Sequence, residues 1–286
     1  MQLCKVRLRD GQVYAAGLMN GYVQLLEESS DVKSLSDILH SDDPAKVAMR
    51  SQWQEARAIS VADVTLLPPL DNQEVWAAGV TYKRSQEARE RESAGAARFY
   101  DLVYSAPRPE LFFKAPASRV VGHGEAVHIR RDSKWSVPEP ELALVVSPKL
   151  QIVGYTIGND MSSRDIEGEN PLYLPQAKFY DRSCSIGPAI TLAEVMPPAP
   201  EVIIQMSIER AGKQVFHGTT NLGVMKRSLE EIVHWLGRET SFPQGAILLT
   251  GTGIVPPDDF ALAKGDIVAI EITGIGRLVN HVEQRA

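Results

Sequence analysis

In the segment VPEPELALVV (137–146), two glutamates stand two residues apart at the head of an apolar run. As a strand, this segment puts Glu139 and Glu141 on one face, with Cα atoms about 6.6 Å apart. Neighbouring carboxylates at the mouth of a buried strand repel each other unless a cation lies between them. A solvated Pro-Glu-Pro-Glu turn accommodates the same residues, so this segment alone leaves both readings open. The next apolar run, IVGYTIGNDMSSRD (152–165), reaches Asp160 before a stretch of small residues. That carboxylate either completes a site with Glu139 and Glu141 or caps a helix. Three carboxylates without histidine or cysteine make a hard oxygen site, suited to Mg²⁺, Mn²⁺ or Ca²⁺ rather than zinc or copper.

Downstream, residues 162–188 carry Glu167, Glu169, Lys178 and Asp181 with two internal prolines and few core residues. This pattern predicts a loop over a site. A lysine beside a bound metal gives up its proton more readily, which makes Lys178 a usable base; otherwise it is a surface lysine. In LLTGTGIVPP (248–257), a strand ends in a Thr-Gly-Thr-Gly turn. The hydroxyls of Thr250 and Thr252 and the open backbone N–H groups can hold a carbonyl or anionic oxygen, or simply close a tight turn. The segment is no dinucleotide fingerprint, because Pro256 stands where the third glycine belongs. The six histidines form no metal motif, and neither a nucleophile elbow nor a P-loop occurs.

The elements that must position these groups fit into 286 residues, which at roughly 150 residues per domain is one large domain or a large and a small one. Residues 2–27 read as strands, with Asp10-Gly11 as a hairpin turn. A helical stretch follows to about Ala58, with Ser34 or Ser36 as N-cap. TLLPPLDNQE (65–74) is predicted to be a stiff, exposed connector. The expected division is therefore a small N-terminal α/β unit at 1–66 and a larger unit at 67–286. In the second unit, a strand at 75–82 leads into a polar, Ala/Glu/Arg-rich helix, and the segment 83–104 beside Tyr82 is a candidate cover for the site. From Leu111 onward short strands dominate, with a helix near 228–237. The fold class is α+β and mainly β, a sandwich or roll.

Net charge is 30 − 36 = −6, against a general nucleic-acid binder. No uncharged apolar run is long enough to span a bilayer, and two cysteines, Cys4 and Cys184, make no disulfide scaffold. A cytoplasmic enzyme or binding protein is expected.

The residues in GVTY (79–82), LFFKAPAS (111–118), PEPELALVV (138–146), GYTIGNDMSSRD (154–165), QAKFYD (176–181), IGP (186–188), LLTGTG (248–253) and GDIVAIEITGIGRLVN (265–280) together resemble the fumarylacetoacetate hydrolase superfamily, in its order. The resemblance implies a mixed β-sandwich roll, usually a dimer or dimer of dimers, binding Mg²⁺ and a 2-keto acid or β-diketone. It makes Glu139, Glu141 and Asp160 the metal ligands and Lys178 the active-site lysine. It places Tyr82, Ser85, Lys114, Arg164, Thr250 and Thr252 around the substrate. Where hydrolases of the superfamily carry a histidine and an acid after the strand tyrosine, this chain has Ser85 and Ala88, with Glu87 next door. The pair that activates water is therefore missing. That departure, with Glu167 in place of an amide, resembles the branch that dehydrates 2-keto-3-deoxy sugar acids of the D-arabinonate type to 2-oxoglutarate semialdehyde in pentose catabolism.

Dehydration needs no water nucleophile, so it tolerates the missing pair. Metal at the 2-keto oxygen acidifies C3, Lys178 or Glu167 removes a C3 proton, and the C4 hydroxyl leaves. Two other functions remain in play: a C–C hydrolase or oxaloacetate-type decarboxylase using Glu87 and a water, and a metal-stabilised binding module without turnover.

Overall fold

The computed structural model describes residues 1–29, 31–54, 57–92 and 102–285, and the backbone alone of 89–92. The fold is mainly β with few helices, as expected; the described residues form two open sheets of twelve and five strands and a two-stranded ribbon. Pro140–Val146 lies inside the large sheet, antiparallel to Ile152–Asp160 on one side and Ala246–Leu249 on the other. Ile152–Asp160 pairs onward with Cys184–Leu192. Ala246–Leu249 pairs in parallel with Glu74–Gly79, which pairs with Glu110–Ala115. The second sheet runs Lys213–Asn221, Ile203–Arg210, Ile267–Ile272, Gly276–Gln284, Ala126–Ile129.

Alternate residues of Pro140–Val146 enter different layers. Leu142 and Leu144 pack with Ile157 against Ile204, Met206, Ile270 and Leu278 of the second sheet. Ala143 and Val145 pack with Ile186, Ile247 and Leu249 against Leu35 and Ile38 of the helix Leu35–Leu39. A strand covered on both faces reads as an unbroken apolar run, which explains ELALVV. Glu141 falls on the face of Ala143 and Val145, and its side chain is buried at the end of that layer.

The N-terminal hairpin, Gln2–Arg7 with Val13–Met19, forms as expected around a positive-φ Gly11 and joins the large sheet at Leu3 opposite Ile190. Several expectations are corrected. The helical stretch to residue 58 is two short helices, Leu35–Leu39 capped by Ser34 and Pro44–Arg50 capped by Asp43. Pro44 cannot sit inside a helix, so it begins a new one. The connector 65–74 is largely covered: Thr65–Leu67 pairs with Gln2–Arg7, and Leu67, Leu70 and Gln73 are buried. The loop expected at 162–188 is mostly helical, with Arg164–Glu169, a 3₁₀ turn Pro171–Tyr173 and Leu174–Lys178. Pro171 and Pro175 occupy first turns, where a missing N–H costs nothing. The strand at 75–82 ends at Gly79, and the helix Lys83–Glu92 follows. Of the candidate cover 83–104, residues 93–101 lie outside the described residues. The helix near 228–237 is Leu229–Leu236, capped by Ser228. No described helix is long and apolar enough to cross a membrane.

Candidate active site

Glu139, Glu141 and Asp160 meet. Each offers an oxygen within 4.8 Å of the others, and they are 3%, 2% and 1% exposed. The register explains the meeting: Pro140 pairs with Asn159, and the Asp160 N–H donates to the Glu139 carbonyl at 2.9 Å. That bond brings the last residue of one strand beside the run-in to the next. All three candidate donors are oxygens, at one buried point, which fits a hard divalent cation.

Three cations surround this triad. Lys114 Nζ lies 2.5 Å from Asp160 Oδ1 and donates to the carbonyls of Met161 (2.9 Å) and Lys178 (2.6 Å). Arg164 Nη2 lies 2.7 Å from Glu139 Oε1. Lys178 Nζ bridges Glu139 and Asp160, 3.0 Å from Asp160 Oδ2. Glu141 is treated differently. Its carboxylate accepts from the Gly251 N–H at 2.6 Å. Burial, then Asp160 and Glu139, push its carboxyl well above the ordinary range. Lys178 and the Gly251 N–H pull it back only in part. Buried beside two like charges that its neighbours answer only in part, Glu141 stands where a cation would be favourable.

The Thr-Gly-Thr-Gly turn supports Glu141 from behind. Thr250 donates its hydroxyl to the Leu142 carbonyl (2.9 Å), and Thr81 donates to the Thr250 carbonyl (2.6 Å). Gly251 has φ +89, and a Cβ there would sit 2.0 Å from Thr81 Oγ1. Only glycine allows this approach. Thr252 closes the turn on Ile254. Tyr82 packs behind Gly253, and burial followed by the Glu141 charge raises its phenol.

The cavity over the triad is walled by Ser85, Glu167, Lys178 and Thr252, and by Glu110 and Phe112. Of the residues expected around the substrate, Ser85 and Thr252 therefore line it. Tyr82, Lys114, Arg164 and Thr250 stand one layer back. Glu87, the acid that a hydrolytic mechanism would need, is exposed. Sequence reasoning missed Glu110. It stands on the same strand as Lys114 and lies opposite Gly79, where a Cβ would be 2.0 Å from Glu110 Oε2. The alternation Glu110, Phe112, Lys114 was the available signal. Val80, next to Gly79 on the cavity wall, holds φ +53, an unusual conformation for a β-branched residue.

Fold and site define a metal-dependent enzyme family. The chain belongs to the fumarylacetoacetate hydrolase family: the family model "Fumarylacetoacetate (FAA) hydrolase C-terminal" matches residues 74–283. It is 52% identical over 214 residues to a probable 2-keto-3-deoxyxylonate dehydratase of Haloferax volcanii, covering 75% of this chain and 73% of that one. It is 42% identical over 232 residues to the 2-dehydro-3-deoxy-D-arabinonate dehydratase of Saccharolobus solfataricus, covering 80% and 78%. A solved 2-keto-3-deoxy-D-arabinonate dehydratase, complexed with magnesium and 2,5-dioxopentanoate, superposes with a TM-score of 0.85 at 35% identity, over 100% of this chain and 99% of that one.

Proposed function

We propose that this protein is a hydro-lyase that removes water from a 2-keto-3-deoxy-pentonate to give 2,5-dioxopentanoate (2-oxoglutarate semialdehyde), with Mg²⁺ held by Glu139, Glu141 and Asp160. One observation carries the reading. Five carboxylates, Glu110, Glu139, Glu141, Asp160 and Glu167, line one cavity, and three of them converge as a cation site. The relatives named above act on keto-deoxy derivatives of arabinonate and xylonate. In the D series these are one molecule, because ketone formation at C2 and loss of the C3 hydroxyl leave C4 as the only stereocentre.

When bound, Mg²⁺ supplies Lewis acidity at the substrate's carboxylate and 2-keto oxygens, which acidifies the C3 protons. Lys178 and Glu167 were the two groups expected as base. Lys178 is ion-paired to Glu139 and Asp160, so we assign it to orienting those carboxylates and holding positive charge beside the substrate. Glu110 then takes a C3 proton. The electron pair left at C3 forms the C3–C4 double bond as the C4 hydroxyl departs, and Glu167 donates the proton that makes it water. A proton moves from C5 to C3, leaving an enol at C5 that becomes the aldehyde on protonation at C4. Ser85 and Thr252 are assigned to substrate hydroxyls. Tyr82, Lys114, Arg164 and Thr250 hold the lining in place.

Purified protein with Mg²⁺ should form 2,5-dioxopentanoate from 2-keto-3-deoxy-D-arabinonate and stop on adding EDTA. Cleavage of acylpyruvates with this substrate untouched would overturn the reading in favour of a hydrolase. A 2-keto acid lacking the C4 hydroxyl separates the two acids: by NMR in D₂O, Glu110→Gln should lose exchange at C3 while Glu167→Gln keeps it.

The same reading carries a cytoplasmic location, supported by two free buried cysteines, and a dimer or dimer of dimers, with exposed Leu172, Val195 and Val224 as apolar contact area. Sedimentation measures the latter. The division into 1–66 and 67–286 is supported by a family match that begins at 74, although the N-terminal strands join the large sheet at Leu3 opposite Ile190 and their apolar cluster takes in Ala189.

A further inference from the structure

Arg227 is a buried cation, 6% exposed, outside the cavity. It precedes the helix Leu229–Leu236, whose cap, the Ser228 hydroxyl accepting from Glu231 N–H at 3.1 Å, fixes where it stands. Its guanidinium makes four hydrogen bonds. Nη1 donates to Glu231 Oε1 (2.6 Å) and to the Pro107 carbonyl (3.2 Å). Nη2 donates to the carbonyls of Val103 (3.1 Å) and Ala106 (2.6 Å). A planar fork with donors at fixed angles serves three carbonyls at once; a lysine ammonium on a flexible stem does not.

Those carbonyls begin a short strut. Pro107, Arg108 and Pro109 lead directly to Glu110, and two prolines fix two of the φ angles in it. Arg108 stacks 4.5 Å from the ring centre of Trp235, on the same helix as Glu231. The neighbouring Lys226 reinforces the anchor: its Nζ donates to the Tyr104 carbonyl (2.7 Å), and its N–H donates to the Thr81 carbonyl (2.9 Å). Val80, strained on the cavity wall, packs against Val103 and Tyr104. Both sides of the cavity mouth, the Gly79–Thr81 turn and the strut to Glu110, are thus pinned at one point.

The geometry points to Arg227 as a positioning residue that acts through Glu110. The inference rests on the reading of Glu110 as the group that takes the C3 proton. Its role is to hold the Glu110 carboxylate at the height of C3, since a displacement of about 1 Å at a reacting group costs up to about 10²-fold in rate.

The test is a double-mutant cycle on the Mg²⁺-loaded full chain. Arg227→Gln should lower kcat by about 30-fold, and Arg227→Lys, which keeps the charge opposite Glu231, by about tenfold. KM and the calorimetric Kd for Mg²⁺ should stay within about twofold, because the triad is anchored elsewhere. In a Glu110→Gln background, with residual rates followed by NMR over long incubations, Arg227→Gln should cost less than about threefold more, because residues acting as one unit are not additive. An unchanged kcat in both Arg227 variants overturns the inference. So does the same loss with and without Glu110, or a loss of activity that only tracks the unfolded fraction in a melting curve. Full activity in Glu110→Gln alone overturns instead the underlying reading of Glu110.

Discussion

Two carboxylates in this molecule, half-buried Asp71 and buried Glu141, behave in opposite ways. Around Asp71, every charge has its answer. Lys5 Nζ lies 2.7 Å from Oδ1, and Ser36 gives Oδ2 its hydroxyl at 2.6 Å and its N–H at 3.0 Å. Gln73 completes the ring by donating to the Ser36 hydroxyl and accepting from the Asp71 N–H. Burial works to raise the Asp71 carboxyl, but Lys5 and Ser36 outweigh it and hold the group below its ordinary value. Around Glu141, burial and two like charges win, and the carboxyl is pushed well above its ordinary range. The first cluster ties a strand, a helix and the connector together. The second brings three carboxylates to a point that could hold a cation. A buried carboxylate marks function when its neighbours fail to satisfy it, not merely when it is buried.

The largest expected effect follows at Glu141. On the proposed function, removing its charge takes away a metal ligand, worth several kcal/mol of transition-state stabilisation, so Glu141→Gln should lower kcat/KM by about 10³-fold or more. In EDTA the same variant should melt about 2 °C above the parent, because a crowded buried charge is gone. Calorimetry and turnover check both halves. A variant that stays fully active sinks the ligand assignment, and one that melts far lower sinks the contrast with Asp71.

Next comes the wall of the cavity. A methyl at Gly79 would sit 2.0 Å from Glu110 Oε2, the far end of a flexible side chain, so Glu110 moves and the backbone does not. Gly79→Ala should therefore lose up to about 10²-fold in kcat with little change in melting temperature. Equal losses in both would mean that the close approach serves packing alone.

Asp71→Asn should give the reverse. Hydrogen bonds to a charged group contribute about 1.5–3 kcal/mol, so the melting temperature should fall by about 5 °C with kcat unchanged. Any drop in kcat beyond the unfolded fraction would show that the Asp71 cluster reaches the site.

Legibility in the sequence followed the range of the interactions. Glu139 and Glu141 drew notice because like charges at the mouth of an apolar strand conflict locally within VPEPELALVV, but the segment left two readings open until Asp160 and the family resemblance joined it. The helices of 164–178 did not, because Pro171 and Pro175 look like breakers yet occupy first turns. The connector's polar Asp71 looked exposed because its partners lie 35 and 66 residues away, beyond any local pattern. Glu110 was passed over because the strand was read from Leu111, after a proline pair, leaving out the residue that pairs with Gly79.

The smallest effect sharpens the contrast by pH. His40, at the end of the helix Leu35–Leu39, lies beside the Asp71 cluster, and a Cβ at Gly245 would meet its Nε2 at 2.9 Å. Burial lowers its imidazole below the ordinary 6.5, against the pull of Asp71 and Asp37. A histidine with a lowered folded value binds its proton more weakly when folded than when unfolded, so its stability contribution is present above the ordinary value. It is lost as pH falls from there through the folded value. Glu141, raised in the folded state, has the opposite sign: acid relieves it. Comparing parent and His40→Asn at each pH from about 7 to about 5 cancels Glu141 and isolates His40. The parent should lose more melting temperature than the variant, with a residual slope shared by both from His123 and His128, which burial also lowers. In Asp71→Asn the drop assigned to His40 should grow, since the carboxylate that favours its charged form is gone. Parallel curves in all three proteins would show that the Asp71 cluster holds strand, helix and connector without sensing the histidine beside it.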